Sequence, residues 1–504
     1  MLELATKPLL KSGTIASLFE ALHENNILYC HWKSNEHLGA SMKGDTDLDV
    51  LFDETQKEEL ELTLHHLGFK RFNAIKQKQY QGIVDFIALD PELGKVIHLH
   101  THYRLTMGEP FLKGYHLNIE AQALKSRVFN EEFGMYCIQP ALELIILFLR
   151  ESLKLRHRDR FLIHSKNRIR AREYILREYD WLNSRCTDAE IRAILKTTFR
   201  DSAAIYEIVT GEFNLRQLYR LAAIVKKEPK VTRLYSPLKA LTLRWHREAT
   251  IVISRKLARI LNQPILFKRN NPRGGVVIAV IGADGSGKST VTESIKNTFQ
   301  EKLDIYKIYF GRGDGKVSMG RKLLLSGKFL VRSKEDYRAA NSRKGSAIKK
   351  EGFVWGLYKC TEAFFVAREK RINMKLMQNA KEKGALVICD RYPQNQFMGY
   401  NDGPLLHDFL SSKNLLFRTV AKMESEIYAQ AEIQAPDVLF KLVADAEVVE
   451  RRKPGETSPE RLKTKINGIN QLKLNNKCRV ITINATKPLN EVLNEIKGEI
   501  WDVL

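Results

Sequence analysis

The 504-residue chain is 44% hydrophobic and 28% charged, which excludes a disordered or fibrous protein and suits about two to four domains. Its six cysteines, at 30, 137, 186, 360, 389 and 478, include no C-x-x-C pair, so neither a disulfide framework nor a cysteine-rich zinc site is expected. The formal net charge of +23 is uneven, −5 over residues 1–140 and +13 over 141–260, so the middle of the chain is either a docking face for a polyanion or a well-solvated helical surface.

The opening MLELATKPLLKSG lacks the apolar stretch and small-residue cleavage site of a secretory signal, and a cytoplasmic protein is expected. GTIASLFEALHENN has the spacing of an amphipathic helix, and ILYCHW reads as a strand. DLDVLF is a second strand, with Asp47 and Asp49 on one face by alternation. DETQKEELELTLHHLGF is a helix ending at a glycine. IVDFIAL and KVIHLHTHYRL are strands joined by the turn-rich DPELG, with His98, His100 and His102 alternating on one face of the second. These elements predict a small α+β unit of consecutive antiparallel strands. Three histidines on one face permit a metal, although a polar sheet face is the simpler explanation.

ALELIILFL, at 141–149, is half the length of a membrane span and is followed by charges, so a buried helix is expected and no membrane span. The pattern stays helical from Pro140 to about Leu261. A stretch rich in Pro, Gly, Asn and basic residues then reads as a linker over 263–273. Beyond it, VVIAVIG begins a series of buried strands alternating with helices, the pattern of a doubly wound parallel sheet.

Gly282, Ala283, Asp284, Gly285, Ser286, Gly287, Lys288 and Ser289, with Thr290 after them, fit G-x-x-x-x-G-K-[ST] between a strand and a helix. Glycines let backbone N–H groups close around phosphates at a helix N-terminus, where the dipole favours anions. Lys288 is expected on the β- and γ-phosphates of ATP and Ser289 on Mg2+. GALVICDRYP ends a further buried strand in Asp390 and Arg391, a carboxylate for the metal and a fork for an acceptor's phosphate. PDVLFKLVAD then leads into a basic helix and loop carrying Arg451, Arg452, Lys453, Arg461, Lys463 and Lys465, a candidate lid over the transferring group.

Residues 274–504 resemble the thymidylate kinase family through DGSGKST, CDRY, the PDVLFKLVAD strand with its basic lid, and the ending VITINATKPLNEVLNEI. The resemblance implies an ATP-dependent kinase. It places Asp284 near the acceptor and Arg368 or Arg371, on the helix before the DRY strand, at the acceptor's phosphate. The chain departs from the family at YFGRGDGK and PQNQFMGYNDGP, which shape the base pocket, and it carries a basic insertion, KVSMGRKLLLSGKFLVRSKEDYRAANSRKGSAIKK. Similar kinase-like proteins are associated with bacterial surface-polysaccharide genes, so a sugar or glycan acceptor stands beside a nucleotide.

Residues 12–110 are similar to polymerase-β-type nucleotidyltransferases, with Lys33-Ser34, twelve further residues, and then Asp47-Leu48-Asp49. That resemblance implies two magnesium ions on Asp47 and Asp49. His100 stands where relatives place a third aspartate, so an active transferase, a degenerate binding domain and a plain structural strand all remain open. The expected organisation is therefore α/β: a nucleotidyltransferase-like α+β domain over 1–110, a basic helical domain over 111–262, the linker, and a P-loop domain over 274–504. The main alternative is a nucleic-acid-binding or defence protein that uses ATP as a switch, with a bifunctional kinase and nucleotidyltransferase, and an oligomer, also open.

Overall fold

The computed structural model describes residues 13–156, 166–261, 263–312, 353–398, 401–454, 459–474 and 477–504. The basic insertion at 316–350 lies outside these residues, as does the side chain of Arg461. The chain is mixed α/β and divides into two compact units: Met1–Asn262 with Phe267–Pro272, and Gln263–Leu266 with Arg273–Leu504.

Among the described residues, the strands of the first unit are β1 (Tyr29–His31), β2 (Leu48–Phe52), β3 (Lys70–Ala74), β4 (Ile83–Asp90), β5 (Lys95–His102), β6 (Leu105–Met107), β7 (Tyr115–Leu117), β8 (Val128–Asn130), β9 (Met135–Cys137), β10 (Val231–Arg233) and β11 (Arg269–Asn270). Eight of them form one sheet in the order β11-β3-β4-β5-β2-β1-β9-β8. β4 and β5 pair antiparallel, as their short DPELG turn requires. The sheet is nevertheless mixed rather than wholly antiparallel. β2 lies parallel to β5, which sets Asp49 opposite His100 and Leu51 opposite His102. That pairing joins strands about fifty residues apart, a distance at which local pattern carries no register.

The expected linker is partly strand, since Arg269 and Asn270 pair with Ala74 and Asn73 at the sheet edge. The helical domain expected over 111–262 also holds strands, β7, β8, β9 and β10 among the described residues, and β10 pairs with β7 and through it joins β6. ALELIILFL is indeed buried helix: Pro140–Lys154 has 12 of its 15 residues buried. A helix apolar on nearly every side sits at the centre of a packed layer rather than on its surface. Among the described residues, no helix is long and apolar enough to cross a membrane.

The second unit is built on five parallel strands: β12 (Val276–Gly282), β13 (Ile305–Tyr309), β14 (Leu386–Asp390), β15 (Val438–Val443) and β16 (Arg479–Asn484). They lie in the order β13-β14-β12-β15-β16. The three inner strands are buried almost throughout, which is why they read as unbroken apolar runs. The edge strands β13 and β16 are partly exposed. The chain leaves β12 toward one side of the sheet and later crosses to the other. The carboxyl end of β12 is therefore a switch point, where such sheets open a crevice.

Candidate active site

That crevice holds the glycine-rich loop. β12 ends at Gly282, and the helix Lys288–Gln300 begins six residues on. Gly287 caps the helix at φ +92°, a conformation that only glycine adopts without strain. A Cβ on Gly282 would collide with the Ser286 hydroxyl and approach the Leu442 carbonyl to 2.9 Å. The loop can therefore turn this tightly only without that side chain.

Lys288 is buried, and its ammonium donates to the Ala283 carbonyl at 2.7 Å. Burial, with the Arg391 charge adding to it, pushes this lysine down to about 8. Asp390 ends β14, level with Val280 on β12. The Ser289 hydroxyl donates to Asp390 Oδ2 at 3.3 Å. Asp390 Oδ1 is buried and, among the described residues, has no hydrogen-bond partner. A cavity of about 440 Å³ opens beside Lys288, Ser289 and Thr290, with Arg391, Arg452 and Lys453 also on its wall.

Arg391 follows the strand in the left-handed conformation, at φ +71°. Its guanidinium donates to Asp284 Oδ1 at 2.7 Å and lies 3.4 Å from Asp402 Oδ2. Lys465, from the helix Pro459–Gln471, donates to the other oxygen of Asp284 at 2.8 Å. Burial alone would raise the Asp284 carboxyl, but Lys465, Arg391 and Lys288 outweigh it and hold the group well below the ordinary carboxylate range. Asp284 is thus a fixed anion joining the loop, the DRY corner and one lysine of the expected lid.

The other basic residues divide. Arg452 donates to the Ala485 carbonyl at 3.0 Å on the cavity wall, whereas Arg451 is exposed and is not part of that wall. Lys463 is exposed as well. Arg368 and Arg371 are both exposed on the helix Phe353–Glu382. The buried cation of that helix is Lys370, absent from the sequence-based set. It donates to the Asp402 carbonyl at 3.0 Å and sits 4.7 Å over the Tyr428 ring. Its signal was present in the helical spacing, because Lys370 falls in register with the buried Ala363, Ala367, Met374 and Met377.

In the first unit, three donors converge on Asp49 Oδ1: Lys33 Nζ at 2.9 Å, His100 Nδ1 at 3.0 Å and His102 Nε2 at 3.1 Å. His98 lies between two acids, 3.0 Å from Asp47 and 2.8 Å from Asp85. Asp85, on β4 opposite His100, is a further carboxylate that the sequence reading missed, and Arg269 lies 3.0 Å from it. Burial would raise Asp49, but Lys33 and the two imidazole hydrogen bonds hold it well below its ordinary value. Burial lowers His100 and lowers His102 further, so both rings are neutral near pH 7. A cavity of about 530 Å³ opens beside Asp47 and Asp49, walled also by Lys33, Lys113, Arg150 and Lys154.

No family model matches the chain. It is similar to the uncharacterized ATP-binding protein YghR of Escherichia coli strain K12, 28% identical over 228 residues, which cover 44% of this chain and 86% of that protein. It is also similar to the uncharacterized ATP-binding protein YghS of the same strain, 26% identical over 220 residues, with coverage of 43% and 89%.

Proposed function

We propose that the second unit is an ATP-dependent phosphotransferase that moves the γ-phosphate to a nucleotide, sugar or glycan acceptor. The observation that carries the reading is the meeting of Lys288, Ser289, Asp390 and Arg391 around the loop at the carboxyl end of β12. The names of both relatives, as ATP-binding proteins, support the nucleotide. The Ser289 hydroxyl and the Asp390 carboxylate are hard oxygen donors, and Asp390 Oδ1 has no hydrogen-bond partner among the described residues, so the pair fits Mg2+. Bound there, the ion would neutralise phosphate charge. Lys288 would hold the terminal phosphates, and the backbone N–H groups at the helix N-terminus would cradle the rest.

The test is ATP consumption by the full chain, screened over nucleoside monophosphates, sugars, glycans and nucleic-acid ends. Acceptor-stimulated turnover is expected. ATP binding with no stimulation by any class would instead favour a nucleotide switch.

Two further results follow from the same site. The phosphates need a charged ammonium, and Lys288 loses its proton near pH 8 in the free protein. ATP affinity should therefore fall as pH rises from 7 to 9.5, by at most about tenfold per unit above 8. An affinity that stays flat over that range would remove Lys288 from the phosphate site. Arg391→Lys keeps the charge but loses the fork that spans Asp284 and Asp402. With an acceptor that the screen finds, KM for the acceptor should rise about tenfold or more while KM for ATP changes little. An equal rise in both would place Arg391 on ATP.

In the first unit, Asp47 and Asp49 already face His98, His100, His102 and Lys33. The groups beside Asp47 and Asp49 are imidazoles and an ammonium rather than the hard oxygen donors that magnesium prefers, which supports a binding domain over an active nucleotidyltransferase.

A further inference from the structure

We infer that Asp49, His100 and His102 form a site for one divalent transition-metal ion of the zinc class, held independently of Asp47. One carboxylate oxygen and two imidazole nitrogens lie within 4.8 Å of one another. A tetrahedral ion with bonds of about 2.0–2.1 Å sets its ligand atoms roughly 3.3 Å apart. Asp49 Oδ1 is 3.0 Å from His100 Nδ1 and 3.1 Å from His102 Nε2, so two edges of the ligand triangle already lie close to that separation. All three residues stand on β2 and β5, paired strands in fixed register, rather than on loops.

The donor set selects the metal. Two imidazoles and one carboxylate suit zinc and its neighbours, whereas magnesium prefers six oxygens in octahedral geometry. The other ring nitrogen of His100 lies 3.8 Å from Asp85, beyond hydrogen-bond reach, and His98 and Arg269 hold that carboxylate in place. A small turn of the ring on metal binding would bring the carboxylate behind the ligating imidazole.

Lys33 is the competitor. Its ammonium meets the same Asp49 oxygen at 2.9 Å, so an incoming ion must displace it. The cavity beside Asp49 gives the lysine room to withdraw. Lys113, Arg150 and Lys154 line the same cavity, with Glu151 beside them.

The experiment titrates the chelator-stripped full chain with Zn2+ and, separately, with Co2+, whose visible absorption reports tetrahedral coordination. One ion per chain with tetrahedral cobalt bands is expected. His102→Ala should weaken binding at least about tenfold. Because His102 is buried, His100→Gln, whose side chain is partly exposed, serves as a second variant with its fold checked by thermal melting. Lys33→Met should tighten binding, and Asp47→Asn should leave it unchanged. Failure of the wild-type chain to bind Zn2+ or Co2+ overturns the site. So does full binding in both histidine variants, or a loss with Asp47→Asn equal to that with His102→Ala.

Discussion

Lys288→Ala should lower acceptor-stimulated ATP turnover by at least about 10²–10³-fold, the loss expected when a preorganised charge is removed from a developing anion. Lys288 is the buried cation of the loop, and its ammonium is fixed by the Ala283 carbonyl at 2.7 Å. A fixed, partly desolvated charge acts more strongly than one in water, because it needs no reorganisation when the phosphoryl group moves. Arg391 does not replace it, since its guanidinium is engaged with Asp284 and Asp402. Arg452, exposed on the cavity wall, is engaged with the Ala485 carbonyl. The fold should survive, because the substitution removes one hydrogen bond and no large apolar contact. Turnover measured beside a thermal melt separates the two effects. Near wild-type turnover in a folded variant would end the phosphotransferase reading, while Asp49→Asn, in the other unit, should leave turnover intact.

The loop and the DRY corner were legible because their chemistry is written in consecutive residues. An apolar run, a glycine-rich turn and a helix with the right spacing leave few alternatives, and β12, Gly282–Thr290 and the helix Lys288–Gln300 follow one another as expected. β14 carries Asp390 at its end for the same reason. Contacts that join distant segments were not legible. Nothing near Lys465 signals that it lies 2.8 Å from Asp284, 181 residues earlier. Asp85 looked like an ordinary strand residue, and only the pairing of β4 with β5 sets it opposite His100. Arg368 and Arg371 were chosen by resemblance, yet the helical spacing turns them outward and Lys370 inward. In the first unit, alternation correctly gave one face to Asp47 and Asp49 and one to the histidines. The parallel register that brings Asp49 against His100 came from tertiary pairing alone.

Phe148→Ala should destabilise the first unit by about 3–5 kcal/mol, the range for deleting a buried aromatic ring. Phe148 is fully buried within Pro140–Lys154. Its ring meets Phe213 edge-on at a centroid distance of 4.7 Å and Tyr179 at 5.9 Å. Those partners come from separate segments of the helical layer, so no single side-chain shift can fill the space left behind. The lost aromatic contacts add to the lost burial, each worth about 0.5–1.5 kcal/mol in such pairs. For a unit of this size, each kcal/mol lowers Tm by roughly 2–4 °C, so a drop of about 6–20 °C is expected. Leu238→Ala is the matched control, because Leu238 is 72% exposed and its loss leaves no cavity. Thermal denaturation followed by circular dichroism reads both variants. A shift for Phe148→Ala no larger than that for Leu238→Ala would mean that Pro140–Lys154 is not the centre of the helical layer, and the packing that holds β6, β7 and β10 beside it would have to be rebuilt.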